Sequence, residues 1–431
     1  MTAGEPSGPS GPSDRDREEA CPQPLAGLKV LDMAHVLAGP SCGWMLAMLG
    51  AEVIKVEPTG EGDLLRVVDE DPARRAVGMG LGYQSVNAGK RSLAVDFKTA
   101  VGREIVLGLA DRADVLVQSF RAGALDALGL GPDKVTARNP RLVYCAISGF
   151  GQDGPRRGVR AFDHVIQAAS GIMALTGAPD GGPQKVGTPV SDTSTGVMAA
   201  FAILAALHER QRTGRGRFLD VSMLHTMFAL MAPQVVQTVL ADAPPVRVGN
   251  SAFTGSPTAD CFRCADADIL IGANTEAQFA GLMKALGRGD LAGDSRFDAP
   301  EARKRNRSAL RGEIESALAT QTADHWERVL AAAGIPASVV RTLHEALQHP
   351  QFAADPATTW MESPGGGPAP LPNLPFRLDR QRPAPPAPPP SVGADSRAIL
   401  AELGYTAAAI DALIAEKIVG EPAEPGRDAA A

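Results

Sequence analysis

Two aspartates stand out by their setting. Residues 148–195 form a 48-residue stretch that reads SGFGQDGP, then RAFDHVIQAASGIMALTG, then VGTPVSDTSTG. Asp163 and Asp192 lie in it among apolar and glycine-rich neighbours, not on a charged face of the kind that keeps a protein in solution. Asp192 follows a short extended run, residues 186–190, and precedes a helical pattern from about residue 193. A carboxylate at a helix N-terminus is held ionised by free backbone N–H groups and by the helix dipole. The same donors stabilise charge on an acylated carboxylate, as a nucleophilic aspartate requires. The plain alternative is that Asp192 only caps its helix.

The elements that must position these acids alternate along the chain. After a Pro/Gly/Ser-rich, charged stretch over 1–24, read as a disordered tail, LKVLDMA, AEVIKVE, SLAVDF, DVLVQSF and RLVYCAIS alternate with helix-like SCGWMLAMLG, AVGREIVLGLADRA and GALDALGL. Short β-branched runs between helices predict a parallel sheet covered on both faces. Ligands of such sheets sit at the carboxyl ends of the strands, here after Met33, Glu57, Phe120 and Ser148. A long helix over about 194–213 stops at GRG, and RFLDVSML and HTMFALMAPQVVQTVL follow. The loop at 243–258 is rich in Pro, Gly, Ser and Asn and marks a boundary. Beyond it come a hairpin-like run at 261–273 and helices near 276–287, 301–319 and 322–333. The expected architecture is α/β: a Rossmann-like large domain from 25–225 and 335–420, the latter with a Pro-rich linker (RPAPPAPPP), a smaller α+β domain with its linker at 226–334, and a tail at 421–431.

Composition narrows the function. A formal charge of −7 and 4 % aromatic residues indicate neither a nucleic acid nor a membrane surface as partner. No apolar run reaches the length of a membrane span. Five scattered cysteines do not make a disulfide framework, and with no apolar leader segment the chain is expected in the cytoplasm. The lone Cys261/Cys264 pair lies in a strand-like run without a second pair, so no metal site is expected. Gly149, Gly151 and Gly154 fit GxGxxG, but Pro155, two arginines and Gly158 follow in place of an apolar helix. A dinucleotide site is therefore not expected.

The block LAGLKVLDMAHVLAGPSCGWMLAMLGAEVIKVEPTGEGD resembles the N-terminal signature of class III CoA-transferases, the superfamily of formyl-CoA and carnitine CoA-transferases and α-methylacyl-CoA racemase. GKRSLAVDFKT, ADVLVQSFRAGALDALGLG, NPRLVYCAISGFGQDGP, AFDHVIQAASGIMALTG, ILAALHERQRTGRG, GIPASVV, HPQF and LPFRL resemble its later blocks in order, over about residues 25–420. Ordered blocks are far more specific than a short motif. The resemblance implies that Asp192, in SDTSTG, is the nucleophile and Asp163 a supporting acid. It implies that His35, Val36, Leu37 and Ala38 form a loop against the pantetheine and nucleotide, that Lys90 and Arg91 lie near the CoA phosphates, Phe120 near the adenine, and Arg160 before the second acid. The coenzyme A thioester enters as substrate and no cofactor is tightly bound; the partners are an acyl-CoA and a carboxylic acid, and the assembly is an interlocked homodimer.

Departures from the family pattern are visible. A Gln of some members is Leu37, a basic residue near the adenine is Pro58 or Thr59, and an Arg is Ala127. The loop GNSAFTGSP holds only two glycines where formyl-CoA transferases carry a Gly-rich lid. The racemase branch places a His directly before the second acid; here that residue is Phe162, which transfers no proton. His164 lies on the other side of Asp163 in sequence and points elsewhere on a helix. Two alternatives stand beside the transferase: an α-methylacyl-CoA racemase or epimerase, and a catalytically inactive CoA-binding subunit.

Overall fold

The computed structural model describes residues 21–241, 245–365 and 367–422. The expected N-terminal tail lies outside the described residues as far as residue 20, the C-terminal tail from residue 423, and the boundary loop in part.

Seven strands build the main sheet: β1 (Lys29–Asp32), β2 (Glu52–Glu57), β3 (Lys90–Val95), β4 (Val115–Gln118), β5 (Val143–Ser148), β6 (Phe218–Ser222) and a last one, Val419–Gly420. The first six pair in parallel in the order β3-β2-β1-β4-β5-β6, and Val419–Gly420 adds antiparallel to the β3 edge. Near-continuous burial of VLD, LAV, VLVQ and VYCAIS follows from helices on both faces. Alternate residues feed two cores. Leu31, Leu93, Leu116 and Tyr144 pack with Ile105 and Leu109 of the helix Ala100–Ala110 and with Ile399, Leu400, Ile410 and Leu413 of the C-terminal helices. Val30, Val53, Val115, Val143 and Ile147 pack with Leu46, Ala199, Ile203 and Leu207 of the helices Ala38–Met48 and Val190–Thr213. Strand order reverses between β1 and β4, so the crevice where such sheets take ligands opens at the ends of these two strands.

The chain divides into two compact units, one of Met1–Ser170, Gly187–Ala232 and Pro356–Ala431, the other of Gly171–Val186 and Pro233–Asp355. In the smaller unit β7 (Ala259–Arg263), β8 (Asp268–Gly272) and β9 (Ala337–Val339) form an antiparallel sheet over a core of Phe262, Ile271, Phe279, Leu282, Leu310, Ile314 and Trp326. β9 pairs here with β8, so residues 337–339, expected in the returning part of the large domain, belong to the smaller unit instead. Gly171–Val186 also belongs here; the Arg247 guanidinium donates to the carbonyl oxygens of Ala174, Ala178 and Gly181.

The returning chain opens with the hairpin of β10 (Thr358–Ser363) and β11 (Gly367–Pro372); the strand Val419–Gly420 is thus β12. The Pro-rich linker is stitched to the large unit. Arg66 and Tyr83 both donate to the Pro390 carbonyl, and Gly393 N–H donates to Ser92 Oγ. One expectation is corrected: the helix Val190–Thr213 is long and apolar enough to cross a membrane by length and composition. Its buried face, Thr195, Gly196, Ala199 and Ile203 among others, lies in the core described above.

Candidate active site

Both acids belong to the large unit, on either side of the excursion Gly171–Val186 into the smaller one. Asp163 is the first residue of the helix Asp163–Ser170, and Asp192 sits in the first turn of Val190–Thr213. That helix begins at Val190, inside the run expected to be extended, after Pro189, which offers no capping side chain. Asp163 supplies the cap from outside: Oδ1 accepts from Ser191 N–H at 2.7 Å and from Asp192 N–H at 3.2 Å. Its other oxygen accepts from buried Gln167 Nε2 at 2.6 Å, and Gln167 also donates to the Thr188 carbonyl at 3.4 Å.

This arrangement reverses an expectation. The N–H groups expected to hold Asp192 ionised are given to Asp163. Among the described residues no hydrogen bond reaches the Asp192 carboxyl, and the residue as a whole is 9 % exposed. Burial, and then the neighbouring Asp163 charge, push its pKa up to about 7. Capping is thus performed by Asp163, and the Asp192 side chain is free of it. A carboxylate short of hydrogen bonds is more basic and a stronger nucleophile than a solvated one.

One turn on, Gly196 explains the glycine of SDTSTG. A Cβ there would stand 2.8 Å from the Ala38 carbonyl oxygen and 2.8 Å from Ser41 Cβ. The glycine lets the helix that carries Asp192 lie directly on the helix that begins at Ala38. The loop before Ala38 follows β1, and Ser119 and Phe120 follow β4, so His35–Ala38 and Phe120 meet at the switch point. His35 N–H donates to Ser119 Oγ at 3.0 Å, and the His35 and Phe120 ring centroids are 5.1 Å apart. Phe120 is set by its N–H bond to Gln118 Oε1 and by an edge contact with Phe97. Val36 takes a left-handed backbone, φ 66°, and Leu37 precedes the helix. Arg160 is exposed in the segment before Asp163.

The expected basic pair at the phosphates is corrected. Lys90 is buried, and its Nζ donates to Asp32 Oδ2, the Pro40 carbonyl and Asn87 Oδ1, each at 2.8 Å. All three donors are used inside the core, and burial lowers its pKa to about 8. Arg91, at the amino end of β3, is engaged by Glu52 and Glu402. Sequence reasoning missed Lys55 and Asp63, a fully buried pair at 2.9 Å that touches the His35 loop. A lysine inside the otherwise apolar VIKV was the available signal. The GxGxxG segment opens no helix; turns follow β5, and a Cβ on Gly149 would meet the Ala161 side chain at 2.3 Å.

Known proteins of like sequence fall in one class, the CoA-transferases. A succinate–glutarate CoA-transferase of Agrobacterium fabrum is 34 % identical over 88 % of this chain and 96 % of its own length. An acetyl-CoA:oxalate CoA-transferase of Acetobacter aceti is 38 % identical over 82 % and 87 %. The crystal structure of a CAIB/BAIF family protein from Brucella suis superposes with a TM-score of 0.78 at 35 % identity, covering 89 % of this chain and all of that one. The chain belongs to CoA-transferase family III, whose model matches residues 25–396.

Proposed function

We propose that the protein moves CoA from an acyl-CoA to a short dicarboxylic acid, with Asp192 as the covalent nucleophile. The observation that carries the reading is the Asp192 carboxyl itself: buried, without hydrogen-bond partners among the described residues, and raised to a pKa of about 7. The Asp192 carboxylate attacks the thioester carbonyl; the C–S bond breaks and CoA leaves as thiolate, giving a mixed anhydride. The thiolate attacks Cγ of Asp192 and releases the donor acid, leaving an aspartyl-CoA thioester. The acceptor carboxylate then attacks that thioester, and the thiolate finally takes the acceptor acyl group and frees Asp192. No net proton is consumed, and exclusion of water protects both acyl intermediates. Asp163 fixes the helix start and keeps the nucleophile basic. CoA lies across the switch point against His35–Ala38 and Phe120, with Arg160 toward its phosphates. The dicarboxylate class rests on the relatives, which are named for succinate, glutarate and oxalate.

A racemase would need a second proton carrier beside Asp163. Phe162 is 54 % exposed at that place, and the His164 ring stacks on it. The assembly in this reading is an interlocked homodimer. It is supported by the exposed stripe Val197, Met198, Phe201 and Leu204 along the helix that carries Asp192, a patch that a partner would cover. The five cysteines are free thiols, in keeping with a cytoplasmic location.

The test is to incubate the protein with succinyl-CoA and acetyl-CoA, quench with hydroxylamine and map the modified peptides. Asp192 is expected to carry the label, and Asp192→Ala to carry none. An unlabelled Asp192 with either donor, or a fully active Asp192→Ala, refutes the role.

A further inference from the structure

We propose that Asp63, paired with Lys55, is a positioning residue for CoA: it locks residues 34–36 in the backbone shape that receives the ligand. The inference rests on the reading above that CoA lies across the switch point. Val36 has φ 66°, a region that β-branched residues rarely enter and that persists only where the surroundings over-determine it. Three successive residues here are held from three directions. Lys55 Nζ, from β2, donates to the Ala34 carbonyl at 2.9 Å. Ser119 Oγ, after β4, accepts from His35 N–H. Both oxygens of Asp63 lie 3.2–3.3 Å from the Val36 nitrogen.

Asp63 is itself held. It accepts from Lys55 Nζ at 2.9 Å and from Leu65 N–H at 3.0 Å, and its own N–H donates to Glu57 Oε2. The side chains of Lys55 and Asp63 are each 1 % exposed. A buried ion pair is a poor source of stability compared with apolar packing, because both charges lose their hydration. This pair spends its remaining hydrogen bonds on the loop backbone, which apolar residues could not do. Its product is a preformed loop, so that CoA meets a surface already ordered.

The experiment is a mutant cycle read by calorimetric titration with free CoA on the full chain. Lys55→Met/Asp63→Ala removes both charges together, so no buried charge is left unpaired. Val36→Gly keeps the pair but widens the range of backbone shapes open to the loop, since glycine has no Cβ to restrict it and loses more conformational freedom on ordering. The double variant is expected to bind CoA about tenfold more weakly, while saturating acyl-CoA still labels Asp192; Val36→Gly should weaken CoA by a few-fold. The triple variant should be no weaker than the double, because both changes release the same loop. Wild-type affinity in the double variant, or losses that simply multiply, overturns the proposal. If the double variant does not fold, wild-type affinity in Val36→Gly overturns it alone. A wild-type protein that binds no CoA overturns this inference and the reading beneath it together; one that binds CoA while its variants match it overturns only this inference.

Discussion

At the scale of the residue, chemistry follows from which acid receives the hydrogen bonds. Asp163 takes the N–H groups of Ser191 and Asp192, and Asp192 is left buried with a pKa of about 7. Attack requires the carboxylate, so kcat/KM for acylation should rise with pH through a limb near 7 and level off above it. The folded pKa exceeds the unfolded one, so the native state binds the proton more tightly. This contribution is fully present below pH 4 and is lost as pH rises to about 7. Asp192→Asn should therefore be more stable than the wild type at pH 8, by up to about 4 kcal/mol, and equal to it near pH 4. Denaturant melts at the two pH values check this; equal stability at pH 8 would refute the buried charge. Lys90 and Arg91 make the opposite case, cations whose partners are structural. Lys90→Met strands Asp32 in the core and should cost about 3–5 kcal/mol. Arg91→Ala should cost under about 1 kcal/mol, its pairs being partly exposed. Neither should raise KM for acyl-CoA in the folded fraction, as loss of a phosphate contact would.

At the scale of the element, the site depends on how closely two helices approach. Gly196 lets Val190–Thr213 rest on Ala38–Met48, tying the turn that holds Asp192 to the loop that opens at His35. Gly196→Ala places a methyl 2.8 Å from the Ala38 carbonyl oxygen and Ser41 Cβ. It should cost about 1–3 kcal/mol and lower the rate of Asp192 labelling by more than global unfolding accounts for. A labelling rate unchanged in the folded protein would show that the helix spacing does not matter. Element types were legible because β-branched runs and helical stretches alternate cleanly. The start of the Asp192 helix was not: Pro189 and Thr188 read as an extended approach, and the cap that starts the helix at Val190 comes from the carboxylate of Asp163, 29 residues before Asp192.

At the scale of the molecule, the C-terminal segment completes the large unit. Ile399, Leu400, Ile410, Leu413 and Val419 are buried in the core that also holds Leu93 and Val95. Removing residues 391–431 exposes that face and deletes β12. At about 2 kcal/mol for each lost side chain, the change is comparable to the whole stability of a domain. The truncated chain should be insoluble or melt without cooperativity; a cooperative melt near that of the full chain would refute this role.

By itself, the sequence determined the parallel α/β layering, the two acids and the family, because these are carried by local periodicity and by ordered blocks. It could not show where side chains at distant positions meet. Lys90 looked like a cation for phosphate and is consumed by Asp32, Asn87 and the Pro40 carbonyl, and Asp63, unremarked in the sequence, holds the Val36 backbone. Asp192 was expected to draw on the helix N–H groups that Asp163 takes. Each of these outcomes depends on competition for hydrogen bonds in a dry interior, where a buried group left without a partner is costly and changes its chemistry, and only the tertiary structure brings the competitors together.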